Sequence, residues 1–576
     1  MAFPCLFPYG KGDFHINRPV TCPSLHDWAE HLLWYQDGRF ARHKVWKFVV
    51  HNMIMRKRAL EQSRFFVDQQ LGDPHITVAD LQERLARGDT FTDKLLYFGA
   101  NLRGTAQYWH QRRRELRALV EFMVNEKRGL PSFFMTGSCA EFYFPPLRRL
   151  LEEYILQTKG EEVNLAEDSN ARFKAVQENT HVVVSYFDLR TQAYHEKVLK
   201  PVFGVSDYWY RYEFAKSRGQ IHWHQLSWRE DRQPHQLLHE AREDGCEDEE
   251  YAARLSQWAD ETFAMTALHP AGNDEGQPRK DLWPPPEGTA EPISDDRDPL
   301  VKMLMQIAAT QDAILEDHLL LVNRVGLHSC SDYCLRTPRH PEQGLQPRER
   351  VCRMEFGSEY RPGKKIHSNP EIVEDHNGAP RLEMPRDHPR VVQHSRYQLQ
   401  SWRANGDVSL ILSNSPLDNP STDDIIAIID YVCGYACKDS EPTGATSDLF
   451  KDMVNAVDAD QVTGKSMCAK MLIKTVGRRD ISGPEASFEL SGLALWRCSR
   501  PFTYLSMSGS RRLERDGETA TRSTPLDKYL ARPQDEHCSW DHFASKNGNV
   551  PVVGGGSTHA TWPLNEDYCR TMLLLH

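Results

Sequence analysis

Along residues 26–130 apolar side chains recur at steps of three and four, as in HDWAEHLLWYQ and WKFVVHNMIMRKRAL, and this predicts a run of amphipathic helices. The texture changes at Pro131. PSFFMT reads as a buried strand, EFYFPPLRRLLEEYI returns to helix, and 181–200 predicts a further helix. Two alternating, aromatic-rich segments follow at 205–215 and 220–228, separated by Lys216-Ser217-Arg218-Gly219, which is the pattern of a β-hairpin. Residues 234–300, with Trp283-Pro284-Pro285-Pro286 inside, read as an acidic insertion or linker, partly disordered. Beyond it come a helix at 300–322, a Cys/His cluster at 328–352, a Pro- and charge-rich stretch and a short helix at 422–438. From 440 the pattern is mixed, and the last forty residues read as loosely structured.

At 576 residues the chain is too long for one core and predicts two to four domains. No apolar run reaches eighteen residues, and the N-terminus lacks a basic-then-apolar leader, so the expected setting is intracellular, with no membrane partner. Thirteen scattered cysteines suit a reducing compartment and one metal site better than a disulfide scaffold. The net charge of −11 is concentrated: residues 234–300 hold 17 acids against 5 Lys and Arg. Residues 38–128 carry 18 basic and 10 acidic residues, with clusters at Arg56-Lys57-Arg58 and Arg112-Arg113-Arg114. Those clusters are candidate DNA contacts, because phosphate binding follows local charge; a solvated helix face is the competing reading.

His222 and His224 sit on the second hairpin strand, where alternation turns both imidazoles to one side. With 25 His in the chain, about one His-x-His arises by chance, so the pair alone says little. Position adds to it. A two-residue turn at Ser217-Arg218 makes paired numbers sum to 435 and sets Glu213 opposite His222. A carboxylate and two imidazoles on one face suit Mg²⁺ or Mn²⁺ with open positions. Two half-buried hairpin histidines would give the same pattern.

Residues 421–438 read STDDIIAIIDYVCGYACK, with Ser421 or Thr422 as N-cap. At about 100° per residue, Tyr431, Tyr435 and Lys438 fall within roughly 60° of one another, opposite the isoleucines. A phenol and a cation together can serve phosphoryl transfer; simple packing of tyrosines at i, i+4 is the alternative. The pair Tyr208/Tyr212 reads as packing. His328, Cys330, Cys334 and Cys352 would supply four zinc ligands, and four protein ligands imply a structural site; reduced buried thiols and a core histidine are the competing reading.

In this order the motifs PSFFMTGSCAEFYFPPL, YEFAKSRGQIHWHQL and DYVCGYACK resemble the replication-initiator part of Helitron rolling-circle transposases, within the HUH endonuclease superfamily. Phe134 to Thr136, Glu213, Arg218-Gly219, His222, His224, Tyr431, Tyr435 and Lys438 match the family pattern, and the resemblance extends from residue 1 to at least 510. The flanking AFPCLFPYGKGDF, LHSCSDYCLR and RDHPRVVQHSRYQLQSWRANGDVSLIL are similar to family text, and the family's Cys/His clusters favour zinc at 328–352. Gly434 replaces the first family lysine, and Ile221 stands at the Pro position before the histidines. Thr463-Gly464-Lys465-Ser466 resembles a Walker motif, but Ala459 stands where its first glycine belongs, so neither ATP nor the family's C-terminal helicase is expected in this chain.

The resemblance implies an α+β fold: an HUH-type antiparallel sheet with flanking helices, a helical basic N-terminal region and a small zinc module. The divisions it implies are 1–130 for DNA binding, 131–230 for the first part of the core, 231–300 for the acidic insertion, 301–360 for a helix and zinc module, 361–440 for the second part with the tyrosines, and 441–576 as an accessory region. It further implies a nuclear, metal-dependent nickase and strand transferase. Such an enzyme acts on single-stranded DNA at transposon ends and works beside a helicase supplied separately or lost. A non-catalytic DNA-binding descendant and an unrelated metallohydrolase are the competing functional readings.

Overall fold

The computed structural model describes residues 3–16, 22–73, 75–89, 91–215, 219–231, 234, 237, 240, 244–270, 311–332, 334–338, 348–358, 363–374, 380–412, 443–457, 462–477, 480–506, 514–515, 518–519 and 549–554. The predicted tyrosine helix therefore lies outside the described residues. Among the described residues no helix is long and apolar enough to cross a membrane.

The α+β expectation holds. A five-stranded, wholly antiparallel sheet is built from β1 (Phe133–Ser138), β2 (Val205–Phe214), β3 (Ile221–Arg229), β4 (Gly406–Leu410) and β5 (Trp496–Cys498), in the order β4-β1-β3-β2-β5. Antiparallel neighbours share a face residue by residue, so the sheet has two distinct sides. One side carries Met135, Tyr210, Tyr212, Trp223 and Val408. The other carries Phe134, Trp209, Leu226 and Trp228.

The helices α2 (Ala106–Asn125), α3 (Pro145–Lys159), α4 (Thr180–Tyr194) and α5 (Asp248–Phe263) pack on this sheet, while α1 (Trp46–Phe66) and α6 (Gly464–Gly477) build a second core. The Thr105 hydroxyl caps α2 by accepting from Tyr108 N, and α2 lays Leu116, Leu119, Val120 and Met123 on the Phe134/Leu226 side. α3 opens on Pro145 and stops at Gly160, whose positive φ of 69° supplies the left-handed cap. α3, α4 and α5 cover the opposite side with Leu147, Leu151, Val183, Phe187, Leu255 and Phe263.

α5 lies inside the stretch expected to be an acidic insertion or linker. Its outward positions carry the acids, but Tyr251, Leu255, Ala259 and Phe263 recur every four residues and are buried against the sheet. The Phe263 ring meets Phe133 edge-on at 5.0 Å. Residues 248–266 are thus part of the core, while 271–300 lie outside the described residues.

The C-terminal part is more regular than its mixed pattern suggested. α6 and the helix Thr443–Asn455 place Phe450, Val454, Met467, Met471 and Leu472 in one cluster with Met55, Phe66, Leu81 and Leu95. Gly464 N donates to Ile76 O at 2.9 Å, and a Cβ at Gly464 would lie 2.7 Å from that oxygen. Residues 55–96 and 450–476, far apart in the chain, share a core.

Gly137 stands directly opposite Trp223, and an added Cβ would come within 2.4 Å of the indole. Gly137→Ala should destabilise the fold by about 1–3 kcal/mol, the usual cost of overpacking. Chemical denaturation checks this, and an unchanged midpoint would contradict the close approach.

Candidate active site

Alternation sends Arg211 and Glu213 of β2, and His222 and His224 of β3, to the side of the sheet that carries Phe134 and Leu226. Glu213 is directly opposite His222 and Arg211 opposite His224, which is the register read from the hairpin pattern. Turn residues 216–218 are outside the described set, but Ala215 N donates to Gln220 O at 2.9 Å and continues that register. Glu213 Oε2 lies 3.5 Å from His222 Nε2 and 2.9 Å from His224 Nε2. One ligand atom from each of the three lies within 4.8 Å of the others.

Burial alone would raise the Glu213 carboxyl. Its contacts to His222 and His224 and the Arg211 charge outweigh that and hold it well below the ordinary range, so it stays ionised. Burial pushes His224 down to about 4, which keeps its imidazole neutral and its lone pair available. A neutral imidazole and an ionised carboxylate are the protonation states that metal binding requires. The donor set fits a divalent cation with positions left for solvent or phosphate oxygens. The Phe134 ring stacks on His224 at 5.8 Å and 18°, and Thr136 stands opposite His224 on β1.

Arg211 was not singled out from the sequence. Its guanidinium lies 3.7 Å from Glu213 Oε2 and 4.2 Å above the Trp109 ring, buried beside the triad. The signal was present, since a cation two residues before Glu213 on a strand must share its face. Tyr208, Tyr210 and Tyr212 take the opposite face, and Tyr212 is buried there with its hydroxyl donating to Asp188 Oδ1 at 2.8 Å. That agrees with Tyr208/Tyr212 as packing residues. Tyr431, Tyr435 and Lys438 fall outside the described residues.

The basic clusters divide. Arg56 and Lys57 are exposed on α1, with Lys57 Nζ 5.8 Å over the Phe14 ring. Arg58 is half-buried, and burial lowers its proton affinity while Glu489 opposes that. Arg112 turns inward, 2.9 Å from the buried Glu115 and 4.9 Å over Trp496, whereas Arg113 is exposed and Arg114 half-buried. Arg112 therefore contributes to the packing of α2 against β5.

His328, Cys330, Cys334 and Cys352 come together, with one ligand atom from each inside 4.8 Å. The antiparallel pairing of Leu335–Arg336 with Val351–Cys352 puts Leu335 opposite Cys352, with Cys334 next along the chain. His328 Nε2 lies 3.3 Å from Cys352 Sγ and 3.7 Å from Cys334 Sγ. Ser331 N donates to Cys334 Sγ at 3.2 Å. Burial opposes ionisation of Cys334, but this amide and the neighbouring thiols favour it and hold the thiol below its ordinary value, while burial and the other thiols push Cys330 up to about 12. A Cys3His group of this compactness can hold a metal such as zinc, with no ligand position left open.

Several other histidines share the condition of His224. Burial pushes His181, His195 and His318 down to about 3 and His394 to about 4, against 6.5 when exposed. Between these values the unfolded chain binds more protons than the folded one. The stability they contribute is complete above about pH 6.5 and lost as pH falls toward 4. Thermal unfolding followed at pH 7, 6 and 5 should show the midpoint falling with each step, and a flat profile would contradict neutral burial.

Comparison with curated proteins finds no match to this chain. Residues 28–227 match the family model described as the Helitron helicase-like domain at the N-terminus, a span that holds β1, β2, Glu213, His222 and His224 and leaves the Cys/His group outside it. By that match, this part of the chain is Helitron-related.

Proposed function

We propose that the protein cuts and rejoins single-stranded DNA through a tyrosine, as a rolling-circle transposition enzyme. The observation that supports this most directly is the convergence of Glu213, His222 and His224 on one sheet face within 4.8 Å. Mg²⁺ or Mn²⁺ held by these three residues would supply Lewis-acid polarisation of the scissile phosphate. The chain's own residues do the rest. Glu213 and the neutral His224 hold the ligand geometry, and Arg211 fixes a positive charge beside Glu213. The phenolate oxygen of Tyr431 or Tyr435 attacks phosphorus as the bond to the 3′ oxygen breaks. The products are a 5′-phosphotyrosine and a 3′-hydroxyl, which takes up one proton. Lys438 offsets charge on the phenolate. Because the phosphodiester energy is kept in the tyrosine link, the reverse attack by a 3′-hydroxyl rejoins DNA without ATP. Two tyrosines would let a second strand be cut while the first is still attached. The transposon-end substrate, a nuclear site of action, a partner helicase and zinc in the Cys/His group belong to the same proposal.

The test is incubation with single-stranded oligonucleotide and Mn²⁺, followed by a denaturing gel. A protein–DNA adduct mapping to Tyr431 or Tyr435 supports the proposal. Single Tyr→Phe changes at either position should still permit cutting but impair complete strand transfer, and the double change should form no adduct. Cleavage without adduct would indicate a metallohydrolase. Binding without cleavage would indicate a non-catalytic descendant.

A further inference from the structure

Ser138, the last residue of β1, stands opposite His222. The chain that leaves β1 there is pinned to the start of the histidine strand, because Gln220 Nε2 donates to Cys139 O at 2.6 Å and to Glu141 Oε2 at 3.1 Å. The next residues are aromatic. Phe142 stacks on Phe173 of the helix Ser169–Glu178 at 5.7 Å and 14°, and Tyr143 meets Phe142 edge-on at 6.5 Å. Phe173 is 52% exposed and Tyr143 49%, so two large rings face solvent at this end of the sheet. Exposed rings grouped together mark a contact surface more often than isolated ones do.

Three arginines from three separate elements stand by these rings: Arg324, just after the helix Gln311–Leu321, interacts with Tyr143; Arg148 lies on α3; and Arg172, one residue before Phe173, donates to Leu165 O at 2.8 Å and Ala166 O at 3.1 Å. Burial and their neighbours' charges lower Arg324 to about 10 and Arg148 below its ordinary value; Arg148 is among the cations acting on Arg324, and Arg172 among those acting on Arg148. Asp317 offsets part of the Arg324 charge and Glu152 part of the Arg148 charge, but both acids are shared with other groups. Asp317 takes Arg403 at 2.8 and 3.1 Å, and Glu152 accepts the Leu165 amide at 2.7 Å. Gathering like charges against partial burial disfavours the free protein, and a polyanion relieves that cost.

We infer that this surface is a track for single-stranded DNA, which carries the strand away from the metal triad over Phe142, Tyr143 and Phe173 with its phosphates on Arg148, Arg172 and Arg324. Rings beside cations fit a single strand, whose bases are free to stack, and do not fit a duplex, whose bases already stack on each other. The inference rests on the reading of the triad as a site that acts on single strands.

Binding measured with no Mg²⁺ or Mn²⁺ added separates the track from the chemistry. Fluorescence anisotropy would compare oligo(dT) of about 24 nucleotides, oligo(dT) of about 8, and a duplex of the longer length. Phe173→Leu should weaken the long oligonucleotide about tenfold and leave the short one little changed. The double change R148Q/R324Q should reduce the slope of log affinity against log salt by about 1.4, two phosphate contacts' worth for a single strand. A merely structural arginine would not move that slope, and unchanged melting temperatures exclude misfolding of the variants. Long-oligonucleotide affinity and salt slope unchanged in both variants would overturn the track, as would an equal loss for duplex. A wild type that binds through these residues yet never forms an adduct would leave the track standing and overturn the nicking proposal.

Discussion

His224→Ala should reduce nicking by about 10³-fold or more while single-strand binding stays within a few-fold. His224 is the most enclosed member of the triad, 5% exposed, stacked under Phe134 and 2.9 Å from Glu213. A divalent ion at such a site is worth several kcal/mol to a phosphoryl-transfer transition state, and each 1.4 kcal/mol is about tenfold in rate. The side chain is not among the apolar residues that pack α2 on this face, so its loss should leave the Leu116/Leu226 packing intact. His222→Ala should behave alike. Glu213→Ala should differ in one respect: raised Mn²⁺ should partly rescue it, because a ligand and not a proton acceptor has been removed. Gel assays across a metal titration read all three. Equal loss of binding and cutting would make the histidines structural, and indifference of Glu213→Ala to metal would remove it from the ligand set.

Chelation of zinc should loosen residues 328–358 without unfolding the sheet. Among the described residues the module around His328, Cys330, Cys334 and Cys352 has little apolar core of its own, its buried apolar side chains being Leu335 and Phe356, which cluster with Cys334 and Cys352. With so little apolar area to bury, metal–ligand bonds must supply most of the local free energy. Elemental analysis should find about one zinc per chain. Cys334→Ser or a strong chelator should abolish it, lower the melting temperature, and open protease sites in this segment first. Full protection of 328–358 in a zinc-free protein would exclude a structural metal.

The hairpin was legible in the sequence for a physical reason. Strand alternation has a period of two, so a turn fixes every partner, and Glu213 fell opposite His222 as expected. The Cys/His group was legible from spacing, since His328, Cys330 and Cys334 fall within seven residues and Cys352 is the next cysteine along the chain. α5 was misread because the acids on its outer face dominate the composition, although the four-residue recurrence from Tyr251 to Phe263 was there. β4 and β5 were not anticipated. Gly406–Leu410 and Trp496–Cys498 are short, and only their pairing to β1 and β2 makes them strands. The union of these two distant segments could not be read from either alone, since the apolar faces of α1 and α6 are complementary only in three dimensions.

That union has a consequence for biosynthesis. Ile76, Leu81 and Leu95 leave the ribosome early, yet the residues that finish covering them, Phe450 to Leu472, come more than 350 positions later. At about 5–20 residues per second that is an interval of roughly 20–70 s. Throughout it the nascent N-terminal helices must carry an unfinished apolar face past everything the intervening sheet does, and chaperone occupancy of that face should persist until α6 emerges.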